Sequence, residues 1–66
     1  MKQKTNFPYP TEEDKKRLYK YLPCVKAILI SELKAEGWKE AWIRHLIWLM
    51  RKEGDIYTFY GIIKKT

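Results

Sequence analysis

The side chains able to do chemistry in this chain are few. It has one histidine, His45, one cysteine, Cys24, and one serine, Ser31. A metal site draws on several His or Cys at set spacings, and a serine nucleophile needs an activating base in context, so neither is expected here. Gly-rich phosphate loops and nucleotide fingerprints are missing as well. The expectation is a non-enzymatic protein with no catalytic residue, metal, cofactor or small-molecule ligand. What the chain does offer is cationic: Lys39, Arg44, His45, Arg51 and Lys52 surround Trp48 in one stretch, and Lys64 and Lys65 close the sequence. Arginine suits paired acceptors on guanine and phosphates, histidine donates or accepts at base edges, and lysine neutralises phosphate.

Fourteen Lys and Arg against eight Asp and Glu give a net charge of +6 and a pI near 9.6. Such an excess on 66 residues favours an anionic partner, with nucleic acid ahead of an acidic protein or lipid headgroups. A hydrophobic content of 45% and an aromatic content of 15% supply enough apolar surface for one small domain without disulfide or metal. Cys24, beside Val25 in an apolar stretch, reads as a small hydrophobe in a reducing compartment. Met1 is followed by polar residues with no apolar signal region, and no window reaches the roughly 20 apolar residues of a membrane span. A soluble, cytoplasmic protein with no membrane partner is expected, nucleoid-associated if it binds DNA.

The elements that must position these cations follow from punctuation and period. Residues 1–10, with Lys2, Lys4 and two prolines, read as an extended basic arm, which Phe7 and Tyr9 could pin; residues 11–66 read as a single domain. A first helix is expected from Thr11, capped by that residue with Asp14 at the capping-box position, and buried through Leu18, Tyr21 and Leu22. Its Lys15, Lys16, Arg17 and Lys20 are balanced by Glu12, Glu13 and Asp14, a salt-laced exposed face. Pro23 is expected to open a second helix running to about Glu36, the most buried of the three, with Val25, Ile28, Leu29 and Leu33 on one face. Gly37 ends it in a left-handed cap that Trp38 plugs. A third helix runs from about Lys39 to Glu53 and stops at Gly54. At ~100° per residue, Trp42, Ile43, Leu46, Ile47, Leu49 and Met50 face inward and Glu40, Arg44, His45, Trp48, Arg51 and Lys52 outward. Ile56 to Tyr60 is β-branched and aromatic, and Gly61 makes it a strand followed by a tight hairpin or a bulge.

The run ISELKAEGWKEAWIRHLIWLMRKEGDI resembles the bacterial and archaeal winged-helix families, through Ser31, Glu32, Leu33, Gly37, Trp38, Leu46, Leu49, Glu53, Gly54 and Ile56. The resemblance covers about half the chain. It implies a mainly α fold with a small β element: a three-helix helix-turn-helix core with a short C-terminal β-hairpin or strand. It further implies that the third helix enters the major groove of double-stranded DNA. Lys39, Glu40 and Arg44 would then lie nearest base edges, with His45, Trp48, Arg51 and Lys52 along the contact, and Lys64 and Lys65 on a flanking phosphate or the minor groove. Lys39 and Glu40 stand where a capping Ser, Thr or Asp is usual, and Gly61 leaves few residues for a second strand, so the wing is expected to be short or absent.

The function so implied is a small transcriptional regulator, with a homodimer suggested by the surplus of aromatics at Phe7, Tyr9, Tyr19, Tyr57 and Tyr60. The alternative is a protein-interaction module, an adaptor or inhibitor using the Trp42, Trp48 and tyrosine surface against an acidic partner. Binding of single strands by stacked aromatics ranks below both, because the aromatics are not expected to alternate along adjacent strands of a sheet.

Overall fold

The computed structural model of the chain describes residues 9–66. The expected arm lies outside them apart from Tyr9 and Pro10, and with it Lys2, Lys4 and Phe7. Thr11 closes the expected capping box: its hydroxyl accepts from the Asp14 amide at 3.2 Å, and the Asp14 carboxylate accepts from the Thr11 amide at 3.1 Å. Two amides with no partner inside the helix are satisfied this way. Helix α1 (Glu12–Tyr19) begins there. It stops before Tyr21 and Leu22, which sit half-buried in the following turn, so Leu18 is its one fully buried side chain.

The next segment departs from expectation. Pro23 does not open a helix; Cys24–Val25 form strand β1, and helix α2 is Lys26–Ala35. Cys24 pairs with Ile63 and Val25 with Ile62, partners nearly forty positions away in sequence. An isolated reading of Pro-Cys-Val-Lys cannot find this, because the pairing edge that makes these two residues a strand is built from the far end of the chain. Burial on α2 is likewise narrower than expected. Leu29 and Leu33, one turn apart, are its buried residues, whereas Val25 is 39% and Ile28 50% exposed. The central place in the core belongs to the third helix instead.

Gly37 ends α2 with φ +101°. Its amide donates to the Lys34 carbonyl at 2.9 Å and the Trp38 amide to the Leu33 carbonyl at 3.2 Å, the paired bonds of a Schellman cap. Trp38 packs half-buried against the core as the hydrophobic partner of that cap. Helix α3 (Glu40–Glu53) follows after four residues. Lys39 is its N-cap and makes no side-chain capping bond. Ile43, Leu46, Ile47 and Met50 are its buried stripe. Gly54 closes it at φ +86°, with the Gly54 amide on the Arg51 carbonyl and the Asp55 amide on the Met50 carbonyl, a second Schellman cap.

A hairpin completes the fold. Strands β2 (Ile56–Phe59) and β3 (Ile62–Lys65) pair antiparallel from Ile56↔Lys65 to Phe59↔Ile62. Two residues connect them, Tyr60 at φ +51° and Gly61 at φ +77°. Positive φ at both central positions marks a type I′ turn, whose twist matches that of the strands. The β element expected after Gly54 is therefore a hairpin, and a short one. The sheet order is β1-β3-β2, all antiparallel.

The fold is thus a helix-turn-helix core with a short C-terminal hairpin, as the spacing predicted, and a two-residue strand added. Among the described residues, nine side chains make the core: Leu18, Leu29, Leu33, Ile43, Leu46, Ile47, Met50, Ile56 and Ile63. Three cations at α1 and its C-cap, Lys15, Arg17 and Lys20, are tied to acids of other elements. Lys15 Nζ lies 3.1 Å from Asp55 Oδ2, and Arg17 and Lys20 reach Glu36 at 3.5 and 3.2 Å. Glu36 also accepts from the Tyr21 hydroxyl, so one carboxylate clasps the end of α1 to the end of α2. Among the described residues, no helix is long and apolar enough to cross a membrane.

Candidate nucleic-acid interface

A 14-residue helix is about 21 Å long at 1.5 Å per residue. Because α3 buries Ile43, Leu46, Ile47 and Met50, the residues on the other side of the wheel, Arg44, Trp48, Arg51 and Lys52, are exposed. The apolar stripe thereby fixes which way the cations point. Trp48 keeps 56% of its surface in solvent. It lines a shallow depression with Arg51 and Lys52, and Lys52 Nζ stands 5.0 Å from its ring centroid, a cation–π geometry.

Three further rings extend this arrangement toward the start of the helix. Trp42, expected to face inward, is half-buried at the border, and its ring lies 6.0 Å from that of His45 at an interplanar angle of 30°. His45 in turn lies 6.0 Å from Trp48, and Trp42 lies 6.3 Å from Trp38. Trp38, Trp42, His45 and Trp48 therefore form a continuous aromatic ridge along one flank of α3, ending at Lys52. The signal was present in the three- and four-residue spacing of these positions, but a division into inward and outward sides split them between two faces.

At the N-terminal end, Glu40 organises the cations. Its carboxylate accepts from Arg44 Nε at 2.8 Å and from Lys34 Nζ at 3.4 Å. These hydrogen bonds, from Arg44 first and Lys34 second, hold its carboxyl below the usual carboxylate range. The negative charge also sits in the first turn, where the helix dipole favours it. Lys34 on α2 and Arg44 on α3 are thereby coupled across the turn through one acid. Lys39 is exposed beside them at the N-cap.

Lys64 and Lys65 belong to a different part of the molecule. Neighbouring residues on a strand point to opposite faces, and the two ammonium groups follow this. Lys64 Nζ lies 5.2 Å from the ring centroid of Phe59, and Lys65 Nζ lies 5.0 Å from that of Tyr19 on α1. Both border a groove of about 330 Å³ with Tyr19, Leu22, Pro23 and Tyr57. The eight cationic and aromatic residues singled out in the sequence thus fall into two groups, six at α3 and two on β3. Cys24 is half-buried, and burial, with the charge of Glu32 second, pushes its thiol upward. Among the described residues, no three His, Cys, Asp or Glu side chains gather where they could hold a metal ion.

Compared with known proteins, the chain matches no family model, no curated protein and no solved structure. Its functional reading rests on its own residues.

Proposed function

We propose that this chain binds double-stranded DNA without catalysing a reaction, laying the exposed side of α3 in the major groove and acting as a small transcriptional regulator. The observation that carries the reading is the outward face of α3, where Arg44, Trp48, Arg51 and Lys52 are all exposed on a helix entered by a four-residue turn. An exposed tryptophan held among cations on a protein of net charge +6 is suited to an anionic, groove-shaped partner. Arg44 would sit nearest base edges, Arg51 and Lys52 on the backbone, and Lys39, Lys64 and Lys65 on flanking phosphates. The winged-helix resemblance of Ser31 to Ile56 points the same way.

Fluorescence anisotropy of a labelled random-sequence duplex across a salt series tests this. Neutralising up to five phosphates gives a slope of log K against log salt no steeper than about −4.5. The Arg44→Glu/Arg51→Glu double variant, with its circular dichroism unchanged, is expected to weaken binding roughly a hundredfold at low salt. Absence of duplex binding by the unmodified chain at low salt overturns the reading and favours a protein partner.

A further inference from the structure

The sheet turns an unusual surface outward. The register places Cys24, Ile56, Thr58, Ile63 and Lys65 on one face and Val25, Tyr57, Phe59, Ile62 and Lys64 on the other. Ile56 and Ile63 are 2% exposed, so the first face covers the core. An antiparallel sheet packed on one side ordinarily presents polar residues on the other. Here the outer face is apolar and aromatic, with Val25, Tyr57 and Phe59 at 39%, 43% and 51% exposure.

The hairpin tip continues it. Tyr60 is 91% exposed and takes a left-handed φ of +51°, at a turn position that Asn, Asp and Gly occupy with less strain. Its ring meets that of Phe59 at 4.4 Å, edge to face, and Lys64 Nζ stands 5.2 Å above the Phe59 ring. The three strands carry two lysines and no carboxylate.

We infer that this outer face is a second nucleic-acid site, one that takes the bases of an unpaired strand on Tyr57, Phe59 and Tyr60 and a phosphate on Lys64. Base–aromatic stacking beside a cation is the mode by which sheets hold single strands. The hairpin tip brings Tyr60 beside Phe59; the adjacent strands β1 and β3 carry no aromatic, as expected. Tyr57 and Phe59 stand on one face of β2, about 7 Å apart at two strand residues. That is about twice the 3.4 Å rise of a stacked strand, the reach of a strand drawn out so that successive bases meet successive rings. Charge selects this occupant over a second copy of the chain, since two molecules of net charge +6 facing each other through lysine-bearing sheets repel. The site is separate from α3 and shares only Lys64 with the duplex reading, so its aromatic residues can be tested independently of it.

The test is binding of labelled oligothymidylate, followed by anisotropy, and of an oligonucleotide containing 2-aminopurine, followed by quenching on stacking. The Tyr57→Thr/Phe59→Thr variant keeps β-branched residues in the strand and is expected to weaken oligothymidylate binding roughly tenfold or more, with duplex affinity within about twofold of the original. Arg44→Glu/Arg51→Glu should do the reverse. Tyr60→Asn suits the turn and alters no core contact, so it guards against misfolding of the double variant; it must lower affinity and quenching by itself. The inference falls if oligothymidylate is not bound, if both double variants weaken it equally, if Tyr60→Asn changes nothing, or if Tyr57→Thr/Phe59→Thr converts a sedimenting dimer to monomer. Oligothymidylate binding without duplex binding would instead remove the α3 reading and leave this one in place.

Discussion

Arg44 is the first cation within α3, and Glu40 holds it at 2.8 Å. That pair restrains the arginine and lays a negative charge where phosphate would approach. Glu40→Gln is therefore expected to tighten duplex binding roughly two- to fivefold, the range of an exposed ion pair, measured by the same anisotropy titration; weaker binding would show that the acid positions Arg44 productively. The pH dependence has a definite sign. The carboxyl of Glu40 is lowered by hydrogen bonds from Arg44 and then Lys34. Its contribution to stability is thus present above the ordinary glutamate value and is lost as pH falls through the lowered folded value. In Glu40→Gln the acid limb of a pH–stability profile should lose that component.

Turns dominate at the scale of elements. Gly54 closes α3 at φ +86° with open space where a Cβ would stand, so Gly54→Ala meets backbone strain and no clash. It should destabilise the domain by roughly 1 kcal/mol, lowering Tm by about 4–8 °C in a thermal melt. Tyr60 is the opposite case, since its left-handed conformation favours a smaller polar residue. Tyr60→Asn is expected to raise stability by about 0.5 kcal/mol while weakening oligothymidylate binding. A variant more stable and less functional is the signature of a residue kept for contact; a less stable one would mean that the Phe59–Tyr60 ring contact outweighs the strain.

At the scale of the whole molecule, a core of nine side chains among the described residues leaves little margin. Leu46 is fully buried at the middle of α3, and Leu46→Ala should cost about 2–5 kcal/mol, comparable to the total stability of so small a domain. Urea denaturation should find it largely unfolded at room temperature. The same smallness makes surface clasps matter. Lys15 with Asp55 ties α1 to the segment before the hairpin, and Glu36 ties α1 to α2. Both pairs span elements that share few core residues.

Much of this was legible before any coordinates. The capping box at Thr11, the left-handed glycine at 37, the helix stop at Gly54, the buried stripe of α3 and the cations opposite it all follow from interactions within a few residues, which local chemistry determines by itself. At Gly61 the local signal left a hairpin and a bulge open, and pairing of β2 with β3 decided for the hairpin. Only the tertiary structure decided the rest. Cys24 and Val25 became a strand because β3 offers them an edge nearly forty positions away, and that pairing withdrew them from the helix their neighbours suggested. The same pairing exposed the aromatic face of the sheet, since which side of a strand is outward depends on what covers the other. The ridge from Trp38 to Trp48 needed the turn between α2 and α3 to close before its four rings could align. Contacts across a loop carry no periodicity in sequence, and the exposed surfaces that such contacts create are the ones on which partner recognition depends.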